Sequence, residues 1–268
     1  MVKKLITHIN PHLDDIAAIW LFKKFSPDLK EVKIEFVSAT VGNQSQTESS
    51  EQIFIGVGRG KFDEHKGDLE DCATSLVWKE IKQHVSDKIA KLALEDIVEW
   101  VRLGDLGRLP TQQYGDFSVP AFIRPTDNSE DSSRKAVELG EEILDRILEV
   151  QKRKQRSLAD WQNRVEFTSK FGKTCAVESA FVNRGFCDSQ EGELFLMYDP
   201  KSLSTQYYTP VMEIDLEPIY KKLKEVDPNA SWYLHQSHHM VICGSGSAPD
   251  AKQTKLTFEQ LIEVVKNT

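Results

Sequence analysis

The sequence predicts a mixed α/β fold: an N-terminal α/β domain, a helical connector and a smaller α+β C-terminal domain. Three observations carry that reading. β-type runs at residues 2–9, 33–40 and 52–57 surround an apolar helical run at 16–25, and a β-α-β-β order is how an α/β sheet begins. Residues 132–170 are polar and helix-rich, and from residue 172 onward short strand patterns mix with two amphipathic helical ones. The expected boundaries are 1–130, 131–171 and 172–268. With 40% hydrophobic and 28% charged residues in 268, the chain can bury a real core and has no disordered composition.

Taken in order, residues 10–13 form a Pro-containing loop. Asp14 and Asp15 then stand where a helix from about residue 16 needs an N-cap. Residues 33–40 (KIEFVSAT) alternate like a strand, and 52–57 (QIFIGV) read as a buried strand ending in glycines. After a polar loop, helical patterns cover 72–84 and 86–102. The second places Ile89, Leu92, Ala93, Ile97, Trp100 and Val101 on one face and stops at Gly104. In the connector, Val137, Ile143, Leu144, Ile147, Leu148 and Val150 form an apolar stripe, followed by a basic run at 152–156 that reads as a solvated helix face. Beyond it, 174–182, 194–200, 206–214 and 239–243 read as strands, and 216–226 and 257–266 as helices.

Composition excludes several classes. Lys and Arg number 34 against 42 Asp and Glu, a net charge of −8. That is too acidic for binding nucleic acid by surface charge alone, since an extended duplex demands many phosphate contacts. The longest apolar run, residues 16–22, is seven long, against the roughly 20 needed to span a bilayer. The N-terminus turns polar at once, without the apolar core of a secretory signal, so a cytoplasmic address is expected. Cys72, Cys175, Cys187 and Cys243 are far apart with no C-x-x-C pair, which predicts reduced, mostly buried thiols.

Four segments hold candidate chemistry. Residues 7–15 (THINPHLDD) put His8, His12, Asp14 and Asp15 in or beside the loop after the first strand, where open α/β sheets place their sites. Imidazole nitrogen together with carboxylate oxygen suits a divalent ion such as Mn²⁺, Mg²⁺, Fe²⁺ or Zn²⁺. Residues 56–66 (GVGRGKFDEHK) match neither a dinucleotide fingerprint nor a P-loop, because Lys61, Ile55 and Phe62 stand at required positions. Asp63, Glu64 and His65 remain as ligands on a turn, with Arg59, Lys61 and Lys66 as cations for an anion. The third segment is Asp105, between Gly104 and Gly107 at a helix end and followed by Arg108. The fourth is the His235-to-His239 segment, then a strand and the glycine-rich Gly244, Ser245 and Gly246, with Lys252 and Lys255 ahead of the last helix. Backbone N–H groups of such a loop can cradle phosphate. Each segment also has an ordinary reading as a cap, a turn or exposed strand residues.

In this order the first three segments resemble the DHH phosphoesterase superfamily, and within it the MYG1-like exonuclease branch. That branch opens with approximately T-H-x-G-x-F-H-x-D-E, to which residues 7–15 are similar in shortened form. Asp63, Glu64 and His65 stand where the later D-H-H signature falls, and Asp105 where its isolated aspartate falls. The resemblance covers residues 3–110. It implies a mainly parallel, DHH-like catalytic domain with metal ions, Mn²⁺ foremost or Mg²⁺, between it and a substrate-binding C-terminal domain. On that resemblance His8 and His12 hold one ion, Asp14 and Asp105 another, and His65 and Asp63 act as catalytic groups that also reach the metal. Glu64 replaces a histidine and still offers oxygen. Gly56 stands where the family carries a bridging aspartate, a role that Asp63 would have to take. The resemblance further implies that the glycine-rich loop, with Gly244, Ser245 and Gly246, holds substrate. His239, Lys255, Arg59, Lys66 and Arg108 complete the candidate substrate contacts.

The function expected is hydrolysis of phosphodiester or phosphoanhydride bonds in short RNA or DNA or in nucleotide-like small molecules, with no membrane partner and oligomeric state open. The competing expectation is a non-catalytic ligand-binding or regulatory protein with a degraded metal site, and a third is a single-metal hydrolase of another substrate class.

Overall fold

A computed structural model describes residues 4–40, 51–65, 70–111, 113–244 and 246–268. It is a mixed α/β protein with a three-stranded parallel sheet and a mixed six-stranded sheet. The chain divides into two units, Met1–Lys152 and Arg153–Thr268.

The first unit contains β1 (Lys4–His8), α1 (Leu13–Phe25), β2 (Lys33–Val37), β3 (Gln52–Phe54), α2 (Ala73–Ile81), α3 (Lys88–Asp105) and the short α4 (Val119–Phe122). β1 lies in the middle of the order β2-β1-β3, parallel to both neighbours. Its Leu5, Ile6 and Thr7 are all buried, as befits a strand covered on both faces. Strand order reverses at β1, so a crevice opens at the carboxyl ends of β1 and β3, the usual position of a site in such sheets.

α1 begins at Leu13 rather than near residue 16. His12 takes the N-cap position and its backbone N–H donates to the Asp15 carboxylate at 2.8 Å, so Asp15 closes the helix from its third position. Asp14 and Asp15 are thus inside the helix, and Asp15 caps it from the third helical position and not from the N-cap. Every residue from Asp14 to Phe22 is buried, because α1 is enclosed by α2, α3 and α5 (Glu130–Trp161). Each of its large apolar side chains contributes about 1.5–3 kcal/mol by leaving water. The fit with α5 is close: a Cβ on Gly140 would lie 2.5 Å from Ile16. Trp20 donates to Asp145 at 2.7 Å, and Lys23 pairs with Glu141 at 2.6 Å.

Several element limits differ from expectation. β2 stops at Val37 and β3 at Phe54, where Ile55 forms only a bridge to Phe62 and Gly56 turns the chain at φ +62°. α3 runs on to Asp105, and its buried face is Ala90, Ala93, Leu94, Ile97, Val98 and Val101, while Leu92 is exposed. In α5, Leu144 and Leu148 are buried as the stripe requires, but Val150 is exposed. α5 belongs in part to each unit. Its basic run is locally engaged: Lys152 pairs with Glu149, Arg153 donates to the Phe181 carbonyl and Arg156 lies over the Phe181 ring.

The second unit adds β4 (Val165–Ser169), β5 (Gly172–Glu178), α6 (Arg184–Cys187), β6 (Leu194–Asp199), β7 (Ser204–Tyr208), α7 (Glu217–Val226), β8 (Tyr233–Leu234), β9 (Met240–Cys243) and α8 (Phe258–Lys266). Their sheet has the order β4-β5-β6-β7-β9-β8, parallel only between β5 and β6. β4 lies within the stretch expected to be helical, and β7 ends at Tyr208 instead of continuing to residue 214. Alternate residues of β6 serve two cores, Leu194, Leu196 and Tyr198 on the α7/α8 side and Phe195 and Met197 with Trp161 and Cys187. The fully buried Tyr207 donates its hydroxyl to the Leu261 carbonyl at 3.0 Å, tying β7 to α8. All four cysteines are buried and free. Among the described residues no helix is long and apolar enough to cross a membrane.

Candidate metal centre

The loop after β1 is shaped by Asn10, whose φ of +60° is tolerated because Asn enters the left-handed region more easily than most residues. Its N–H donates to Ser133 Oγ at 3.1 Å, fixing the loop to α5. The turn brings the rings of His8 and His12 edge to face with centroids 5.3 Å apart. His8 Nδ1 donates to the Ile9 carbonyl at 2.8 Å, leaving Nε2 3.0 Å from Asp15 Oδ2. Burial opposes charge on His8, yet the hydrogen bond and charge of Asp15 raise its pKa to about 9.

Adjacent positions on a helix point about 100° apart, and the Asp14–Asp15 pair uses that divergence. Asp15 turns to β1, accepting from His12 and, at 3.4 Å, from Thr7. Asp14 turns to α2, where its two oxygens accept from the backbone N–H groups of Ala73 and Thr74, each at 2.8 Å. A buried carboxylate thus satisfies donors that a helix N-terminus leaves open. Burial first, then the charge of Asp15, pushes the Asp14 pKa up to about 6. Burial and Asp14 together raise the neighbouring Cys72 thiol.

The loop after β3 turns through Gly56, Gly58 and Arg59, all at positive φ, and closes with Gly56 N–H donating to the Phe62 carbonyl at 2.9 Å. Asp63 is 1% exposed and holds this loop together from inside. It accepts from the backbone N–H groups of Arg59 and His65 and lies 2.7 Å from His65 Nδ1. The loop approaches α1 so closely that a Cβ on Gly56 would lie 2.0 Å from Asp15 Oδ1. The Asp15 carboxylate fills the space into which a side chain at position 56 would extend.

Among the described residues three groups of donors result, each with ligand atoms within 4.8 Å of one another: His8, His12 and Asp15; Asp63, Glu64 and His65; and Asp14, Glu64 and Asp105. Asp105 arrives from the C-terminal end of α3. Desolvation, then the charge of Asp15, raises its pKa, and His12 and His65 work in the opposite direction. Burial, and then Asp14 and Asp105, raise that of Glu64, against a lowering by its own backbone and by His65. Crowded carboxylates whose burial and mutual repulsion favour the protonated form are short of positive charge. The most specific sign is Glu64 Oε2, a buried oxygen with no hydrogen-bond partner, which leaves a desolvation cost of about 1–3 kcal/mol uncompensated. A divalent cation fits this donor set, and mixed imidazole and carboxylate ligation suits Mn²⁺, Fe²⁺ or Zn²⁺ better than Mg²⁺. A cavity of about 290 Å³ adjoins the centre, lined in part by His12, Asp14, Asp105 and Arg124.

All seven residues expected to reach a metal are therefore members of these groups, and Asp15 joins them. The cations expected to meet substrate fare differently. Arg108 forms a two-pronged ion pair with Glu70, both contacts at 2.8 Å, and Lys61 pairs with Glu80 at 2.7 Å. Arg59 is exposed and commits its backbone to Asp63; Lys66 and Ser245 lie outside the described residues. In the second unit, Gly244 and Gly246 line a separate cavity of about 410 Å³ together with Arg153, Asp199 and Gln206. His239 and Lys255 are not in its wall. His239 Nε2 bonds to the Met212 carbonyl at 3.1 Å, and the Lys255 backbone donates to Asp227.

One residue of the site, Arg124, is not singled out by the sequence, and Asp15, part of the first candidate segment there, is not assigned to an ion. For Asp15 the signal is the acidic doublet itself, since on a helix the two carboxylates serve different neighbours. Arg124 has no motif around it beyond the following proline. No protein-family model and no curated protein matches this chain.

Proposed function

We propose that this protein is a metal-dependent phosphoesterase of DHH type, hydrolysing phosphodiester or phosphoanhydride bonds in short oligonucleotides or nucleotide-like small molecules. The supporting observation is the gathering of donors from residues 8–15, 63–65 and 105 into three groups, two of which share Glu64, with one of its oxygens buried and unpartnered. A bound divalent ion, Mn²⁺ in this reading, supplies an acidified water and charge for the phosphoryl oxygens. His8, His12, Asp14, Asp15, Glu64 and Asp105 would hold it. The hydrogen bond from His8 Nδ1 to the Ile9 carbonyl fixes its ring and tautomer, as partners of ligating histidines do. Asp63, itself buried, orients His65 through Nδ1, and His65 is two-thirds exposed. His65 is the group suited to protonating the leaving oxygen. A net charge of −8 favours a short substrate over an extended duplex.

The test is to strip the protein of metal, restore Mn²⁺, and supply short RNA, dinucleotides and pyrophosphate. Turnover should vanish with chelation and return with the ion. His65→Ala should lower kcat about 100-fold or more, the scale of general-acid loss, measured at saturating Mn²⁺. Bound Mn²⁺ without turnover of any of these substrates would overturn the hydrolase reading and leave a ligand-binding protein.

A further inference from the structure

The cavity beside the metal centre has a feature that the ligand set does not require. Its wall combines His12, Asp14 and Asp105 with apolar surface from residues such as Pro11 and Ile123, and one permanently charged cation, Arg124. Among the described residues the Arg124 side chain makes no hydrogen bond or ion pair, although two carboxylates share its cavity. Arg102, Arg108 and Arg164 are each tied to a glutamate. The backbone around Arg124 is nevertheless fixed. Ile123 is 1% exposed and donates to the Val119 carbonyl at the end of α4. Past Pro125, the Thr126 and Asp127 N–H groups donate to Ser132 Oγ at the start of α5. An exposed guanidinium on a fixed backbone, facing a cavity next to cation-seeking carboxylates, is organised to receive an anion.

We infer that Arg124 is the phosphate-binding residue of this site, gripping a phosphoryl group through paired N–H donors. The planar guanidinium matches two phosphate oxygens at once, which a lysine ammonium does not. The cavity volume of about 290 Å³ is at the small end for ligand sites. It suits one phosphate with a single nucleotide-sized group against the apolar wall. The substrate class is therefore a compound with a phosphate at or next to its end: a dinucleotide, a nucleotide anhydride or pyrophosphate. This inference rests on the phosphoesterase reading for the identity of the anion.

The experiment measures binding of inorganic phosphate and of a nucleoside monophosphate to the Mn²⁺-loaded protein by calorimetry, in parallel with Mn²⁺ affinity, for wild type, Arg124→Ala and Arg124→Lys. Phosphate affinity should fall about 10- to 100-fold in Arg124→Ala, the scale of a lost charge-assisted pair. Arg124→Lys should recover only part of it, and Mn²⁺ affinity should stay within about twofold. If a substrate turns over, Arg124→Ala should raise KM with little change in kcat. Wild type that binds no phosphate, or an Arg124→Ala protein that binds it equally well, overturns the inference and leaves the hydrolase reading intact. Arg124-dependent phosphate binding without turnover sustains the inference and removes the hydrolase.

Discussion

Replacing Gly56 with aspartate, the residue that the DHH pattern carries at this position, is expected to damage the centre and not to restore a ligand. A non-glycine residue at φ +62° costs about 1–2 kcal/mol, and the new Cβ would fall 2.0 Å from Asp15 Oδ1. Asp15 has nowhere to retreat. It is 4% exposed and held by His12 N–H, His8 Nε2 and Thr7 Oγ1. Displacing it breaks those bonds and sets two carboxylates against each other, for a total loss of about 2–5 kcal/mol. Gly56→Ala should show most of the same loss without the charge. Thermal unfolding with and without Mn²⁺ reads both effects: the melting temperature falls in each variant and the Mn²⁺-induced rise shrinks. A Gly56→Asp protein that melts no lower than wild type and binds Mn²⁺ more tightly would show that Asp15 does not occupy the missing ligand's place.

Asp14→Ala should be nearly as damaging, for a different reason. The Asp14 carboxylate is 5% exposed and is the acceptor for two N–H groups at the start of α2. Removing it orphans both donors, at about 1–3 kcal/mol each in a buried site, offset in part by relief of the repulsion from Asp15. A net loss of about 2–4 kcal/mol is expected. Asp14→Asn keeps one acceptor and should fall between. The contact from Thr74 Oγ1 to the Asp14 carbonyl, at 2.7 Å, survives in both variants, so α2 should loosen at its first turn and not detach. Denaturant unfolding gives the stabilities, and Mn²⁺ titration should show weakened binding in both. If Asp14→Ala is as stable as wild type, the α2 contact is not a structural anchor.

Much of this is legible in the residues. The β-α-β-β opening follows from alternation and from the apolar run at 16–22, and His8, His12, Asp63, Glu64, His65 and Asp105 stand out as ligating types at strand and helix ends. The differences have physical causes. Leu92 shares the apolar stripe of α3 yet is exposed, because hydrophobicity alone cannot fix which of two adjacent stripes meets the core; α1 and α2 decide that. β4 escapes a reading of the sequence because Val165 to Ser169 alternates only weakly at a sheet edge, and its pairing partner β5 supplies what the local pattern lacks. Asp15 reads as a cap because caps and ligands draw on the same residue types. Asp15 serves as both, capping α1 through the His12 N–H while lying among the donors beside Gly56.

One property of α1 bears on how the protein moves. The helix that begins at the candidate metal centre is buried without a break from Asp14 to Phe22, so past its exposed N-cap His12 and half-buried Leu13 it has little solvent-facing surface along which to fray. Opening free energies in a protein range from near zero at exposed ends to the global value in the core, and here a ligand-bearing helix start lies at the upper end of that range. Asp14 and Asp15, two of the eight candidate donors, are therefore held in place by the same event that folds the unit.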